Sequence, residues 1–132
     1  MRLPLIALFL VACAGDPDPQ WELQTLADEG RACVEGQAGE VATARINAGI
    51  CLSSSCSRNA QGSCTAAVDG STITLSSDFS WEQAMGNIAC TEDCGQLIAT
   101  CEVGVLEAGD YTVVLGDDEQ VVTIPSEPCS EW

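Results

Sequence analysis

Nine cysteines in 132 residues constrain this chain more than any other feature. They stand at positions 13, 33, 51, 56, 64, 90, 94, 101 and 129. So many thiols ordinarily serve either a metal site or a disulfide framework. Metal knuckles are built on C-x2-C pairs, usually with histidine. This chain has no C-x2-C and no histidine, so a zinc site would need four thiolates from separate segments. A thiol oxidoreductase also requires C-x2-C, and Cys90-x3-Cys94 does not supply it. A framework of disulfides is the favoured reading.

The first cysteine differs from the rest. Met1-Arg2 carries one positive charge, and the ten residues from Leu3 to Ala12 (LPLIALFLVA) are apolar, interrupted by Pro4. Ten residues are too few to cross a bilayer core, which takes about 20. They suit the apolar region of a secretory signal. The tetrapeptide Leu10-Val11-Ala12-Cys13 resembles the lipobox of bacterial lipoproteins: an apolar residue, a tolerant position, a small residue, then cysteine. That resemblance implies a diacylglyceryl group on the Cys13 thiol and cleavage between Ala12 and Cys13. It also implies a membrane as partner, through the N-terminal lipid. Residue 14 is alanine and not aspartate, which in Gram-negative lipoprotein sorting implies the outer membrane. The alternative is an ordinary cleaved signal, since Ala12-Cys13-Ala14 also satisfies the small-x-small rule, giving a secreted β-domain without lipid. The remaining thiols favour lipidation. Setting Cys13 aside leaves eight, an even number, as a bridged framework requires.

These readings divide the chain into a signal over 1–12, a lipidated N-terminus and tether over 13–20, and a disulfide-rich domain over 21–132. The tether is acidic and holds Pro17 and Pro19, which favour extended backbone.

Composition excludes several functions. The only basic residues are Arg2, Arg31, Arg45 and Arg58, against twenty Asp and Glu, for a net charge of −16. Nucleic acid is not an expected partner, because phosphate binding needs clustered Lys and Arg. No histidine or lysine exists to act as base for Ser53, Ser54, Ser55 or Ser57, so no catalytic triad is expected. The acids are spread along the chain and read as a solvated surface.

Within the domain, the signals are of strands and turns. Trp21 to Arg31 fits either one helical turn or a strand. Val41 to Leu52 is rich in small and β-branched residues, and Cys94 to Val103 supplies another strand. Cys64 to Val68 and Ser71 to Ser76 alternate on either side of Asp69-Gly70, a strong hairpin signal. A loop of those two residues sets Ala66 opposite Ile73 and Cys64 opposite Leu75. It gathers Cys64, Ala66, Ile73 and Leu75 on one face, and Thr65, Ala67, Thr72 and Thr74 on the other. Tyr111 to Leu115 and Gln120 to Ile124 flank Gly116 to Glu119, with Leu115 expected opposite Gln120 and Val113 opposite Val122. The segment LEAGDYTVVLGDDEQVVTIP resembles the closing hairpin of bacterial Ig-like sandwiches. The expected fold is all-β, an antiparallel β-sandwich stapled by up to four disulfides. The mature part is similar to small cysteine-rich envelope lipoproteins.

Eight cysteines, Cys33, Cys51, Cys56, Cys64, Cys90, Cys94, Cys101 and Cys129, allow 105 pairings. The preferred ones are Cys56–Cys64, closing the serine-rich loop, and Cys33–Cys129, tying the ends together, with the other four sharing two bridges. Glu92-Asp93 and Asp117-Asp118-Glu119 are the carboxylates that could serve hydrolysis or hold calcium. The trio reads better as a turn, and no EF-hand pattern occurs. Phe79 and Trp81, two apart, face the same way on a strand. They are the candidate binding residues, stacking on a glycan or filling a pocket of an envelope protein. The alternative is that they fill the core, as aromatics more often do. No metal, no cofactor and no catalytic residue is expected. The favoured function is a non-enzymatic, lipid-anchored envelope protein, structural or binding. The competing one is a carboxylate-based envelope hydrolase, with or without calcium.

Overall fold

The computed structural model describes residues 18–130. The signal, Cys13 and most of the tether lie outside this range, as does Trp132. Eight strands follow in order: β1 (Gln20–Ala27), β2 (Arg31–Glu35), β3 (Val41–Leu52), β4 (Ser57–Asp69), β5 (Thr72–Met85), β6 (Gly95–Val105), β7 (Gly109–Leu115) and β8 (Asp118–Ile124). They form a five-stranded sheet of β1, β4, β5, β7 and β8 and a three-stranded sheet in the order β2-β3-β6. The chain is all-β, as its patterning indicates, and Trp21 to Ala27 is strand rather than helix.

β5 organises the larger sheet. β4 pairs along one side of it, from Thr72 to Gln83. β1 and β7 share the other side end to end, β1 against Asp78 to Met85 and β7 against Thr72 to Leu75. The β5–β7 pair is parallel, which corrects the expectation of a wholly antiparallel sandwich. The chain leaves β5, runs through β6 in the other sheet, and returns as β7; such a crossover lets two strands lie side by side in the same direction. Asp28 fills the gap between the end of β1 at Ala27 and the end of β7 at Leu115. Its N–H donates to the Ser77 carbonyl at 2.9 Å, and its Oδ1 accepts the Ser77 N–H at 2.9 Å. It sits at φ +53°, a conformation that aspartate tolerates better than most residues.

Both hairpins are tighter, or set one residue later, than the sequence suggests. β4 and β5 close on Gly70-Ser71, with Asp69 opposite Thr72, so Ala66 faces Leu75 and Cys64 faces Ser77. β7 and β8 close on Gly116-Asp117, with Leu115 opposite Asp118 and Val113 opposite Gln120. In each loop the glycine comes first and has positive φ, 59° and 57°. A turn with positive φ at its first central residue needs only that one glycine, so Asp69 remains in the strand. Each register moves by two residues, and side-chain alternation survives such a shift. Ile73 and Leu75 are buried, Cys64 and Ala66 are half-buried on the same face, and Thr65, Ala67 and Thr74 meet solvent.

The core lies between the sheets. The larger sheet contributes Ile73, Leu75, Phe79, Val113, Leu115 and Ile124, and the smaller one Val34, Ala42, Ala44, Ile46, Ala48, Leu97, Ala99 and Val103. Bulky groups on one wall thus face a wall rich in alanine.

Four disulfides staple this frame: Cys33–Cys129, Cys51–Cys94, Cys56–Cys90 and Cys64–Cys101. The tie between the ends is as expected. The local Cys56–Cys64 bridge does not form. β4 starts at Ser57 and runs extended through Cys64. At ~3.3 Å per residue that separates the two cysteines by roughly 25 Å, far beyond the ~7 Å limit between bridged Cα atoms. Cys64 bonds instead to Cys101 on β6, linking the two sheets.

Candidate functional site

Three surface regions concentrate polar chemistry. The first is a loop pair at one end of the sandwich. Ser53 to Cys56 follows β3, and Cys90 to Cys94 precedes β6. Bridges Cys51–Cys94 and Cys56–Cys90 pin the two loops together at both ends. Between the bridges runs a ladder of hydroxyls. Ser53 Oγ lies 2.8 Å from Thr91 Oγ1, and the Thr91 N–H donates to Ser55 Oγ at 2.9 Å. The Asp93 carboxylate accepts the Ser54 N–H at 3.1 Å and the Thr91 hydroxyl. The Thr91 hydroxyl above all, and then Ser54, hold the Asp93 carboxyl below its ordinary value. Asp93 is therefore an ionised acceptor saturated by neutral donors, which suits a structural pin better than a proton donor. Among the described residues, no group of three or more Asp, Glu, Cys and His side chains is placed to hold a metal ion.

The second region lies on the outer face of the larger sheet. A register shift between Arg58 and Gln61 puts a bulge in β4, with Asn59 at φ +52°. Beside it the Arg58 guanidinium meets the Glu82 carboxylate through two contacts of 3.2 Å and stacks 4.1 Å from the centre of the Trp21 ring. Asn59 also donates to Glu82. Arg58 first, and Asn59 second, lower the pKa of Glu82. This cluster has no sequence signature: it depends on a bulge and on β1 and β4 flanking β5.

The aromatic pair singled out from sequence sits elsewhere. Phe79 is 2% exposed and belongs to the core, while Trp81 is half-buried and packs against it. Gly62 lies opposite Phe79; a Cβ there would come within 2.8 Å of the ring. The glycine gives the ring its place. The solvent-facing aromatic cluster is instead built on Trp21.

The third region comprises the edges of the sheets. At β2 the segment after β8 closes the edge. Ser126 Oγ accepts the Gly36 N–H at 2.9 Å and donates to the Val34 carbonyl at 3.2 Å, and the Ser126 N–H donates to the Gly36 carbonyl at 3.0 Å. Gln120 Nε2 reaches the Ala32 carbonyl at 2.6 Å. Cys129 fixes the tail through its bridge to Cys33, its N–H to the Glu35 carboxylate, and its carbonyl to Arg45 Nη1 at 2.7 Å. β8 has no such cover. Among the described residues it pairs only with β7, and Val121 is 69% exposed. The acids Asp117, Asp118 and Glu119 stand here, at the turn and the first residues of β8. They do not form a closed site.

Comparison with protein families, with curated proteins and with solved structures finds no match for this chain.

Proposed function

We infer that this chain is an exported, lipid-anchored envelope protein whose folded part is a non-enzymatic structural or binding module. The observation that carries this reading is the pairing of the cysteines. Bridges at Cys33–Cys129, Cys51–Cys94, Cys56–Cys90 and Cys64–Cys101 use every cysteine after residue 13. Disulfides of this density persist in oxidising compartments. The ninth cysteine is then the one in Leu10-Val11-Ala12-Cys13, where a lipobox places its lipid-bearing residue. Acyl chains contribute ~0.8 kcal/mol per buried CH2, so two or three of them hold a protein on a membrane. Rigid loops, hydroxyl-rich faces and an open strand edge suit binding, and the sequence offers no histidine or lysine to activate a serine nucleophile.

Metabolic labelling with a palmitate analogue tests the anchor. Wild type should take up the label and fractionate with the outer membrane; Cys13→Ala should do neither. Equal labelling of the two proteins would remove the lipid from the account and leave a secreted domain.

A further inference from the structure

We propose that the free edge of β8 is a docking site for an extended, cation-rich polypeptide segment, which adds a strand to the larger sheet. The proposal deepens the binding-module reading and rests on it for its setting, but not on the lipid anchor.

The hairpin geometry fixes which backbone groups are on offer. The β7–β8 loop has two residues, so its closing pair, Leu115 and Asp118, carries the turn's hydrogen bond. Antiparallel pairs alternate between bonded and non-bonded, so Gln120 and Val122 bond to β7. Glu119, Val121 and Thr123 turn their N–H and C=O groups away from it. All three are exposed, and their side chains share the outer face of the sheet with Val114, Thr112 and Asp110.

Edges of this kind invite another strand, and proteins usually blunt them with lysine, proline, a bulge or a covering segment. β8 has none of these. Its seven residues contain no Lys and no Pro, and its register with β7 is unbroken. β2 in the same molecule is covered by the tail, so this chain does close one of its edges and leaves β8 open.

Charge chooses the occupant. Asp28, Glu29, Asp117 and Asp118 line one cleft at the β7–β8 turn. Glu119 and Asp118 line the next cleft with Arg31, its one cation. Asp110 lies opposite Thr123 further along. A second copy of the chain would bring another −16 against this surface. A segment with lysine or arginine at alternate positions meets it with opposite charge, and its backbone supplies the missing ladder.

The test uses the full oxidised chain and labelled peptides read by fluorescence anisotropy. One peptide alternates valine with lysine, a second valine with serine, a third valine with glutamate. The lysine peptide should bind saturably, and the other two about tenfold or more weaker. Val121→Pro removes one outward N–H and no hairpin bond, so it should weaken the lysine peptide about tenfold or more while thermal unfolding stays in place. If the proline disturbs unfolding, Val121→Lys decides, because it keeps the backbone and sets a positive charge on the edge that a cationic strand must approach; it too should weaken binding. Cys13→Ala should bind the peptide as wild type does, which separates this proposal from the anchor. Four results would overturn it: no saturable binding, undiminished binding by both Val121 variants, equal binding of the serine peptide, or a dimer that Val121→Pro abolishes. The last would assign the edge to a second copy.

Discussion

β2 and β8 each end a sheet, yet the chain treats them differently. β2 is closed by a serine, a glutamine side chain and a disulfide, all supplied by residues 120–129. β8, which leads directly into that segment, is left with one side bare. A strand edge is therefore not protected by its place in the fold. It is protected by whichever segment is long enough and chemically equipped to lie along it. The tail has one bridge and one set of polar groups, and it covers only the smaller sheet.

Releasing the tail should have the largest effect. The double variant Cys33→Ala/Cys129→Ala opens a closure spanning 96 residues. A loop of that length is worth about 4–5 kcal/mol, so the guanidinium midpoint should fall accordingly. Amide exchange at Val34 and Gly36 should rise above that of the β3–β6 ladder. An unchanged midpoint would mean that the bonds of Ser126 and Glu35 suffice to seal β2.

Two proline substitutions on neighbouring residues of β8 sharpen the contrast between its sides. Gln120→Pro removes an N–H that bonds to β7, together with the side chain that reaches Ala32. It should cost about 2–4 kcal/mol in chemical denaturation. Val121→Pro removes only an outward N–H and should stay within about 0.5 kcal/mol of wild type. Similar costs at the two positions would show that the outward side of β8 is already paired. Between these lies Ser126→Ala, which loses two bonds on the sealed edge and should cost about 1–2 kcal/mol.

The smallest effect is electrostatic. Glu82 is stabilised as a carboxylate by Arg58 and Asn59, so its folded pKa lies below the ordinary 4.5. A depressed carboxylate contributes stability above its unfolded pKa and loses it as pH falls through the folded one. An NMR titration should place its midpoint below 4.5, and a midpoint at or above that value would mean that the Arg58 contact is not held in solution.

The parts of this fold legible in the sequence are those that local pattern decides. Val41 to Leu52 reads as strand and is β3 from end to end. The faces of both hairpins follow from alternation, and so hold even where the loop moves the register by two. What could not be read depends on how separate segments meet. Cys64 finds Cys101 because β4 approaches β6, which no spacing in the chain announces. Phe79 and Trp81 do face one way, but only the stacking of the sheets determines that this way is inward. Ser126, Glu35 and Arg45 look like ordinary surface residues until the tail lies along β2. The Trp21–Arg58–Glu82 cluster requires a bulge that its sequence does not signal. Cys13, on which the anchor turns, lies outside the described residues.

On the proposed reading, eight cysteines are consumed by the fold and the ninth by the membrane. Peptide mapping by mass spectrometry, without reduction, on protein isolated from the cell envelope tests it most directly. The account predicts four linked peptide pairs, Cys33–Cys129, Cys51–Cys94, Cys56–Cys90 and Cys64–Cys101, and an N-terminal peptide that begins at Cys13 and carries acyl chains. A peptide in which Cys13 is bridged to any of the eight, or an N-terminus still beginning at Met1 with free thiols downstream, would contradict it.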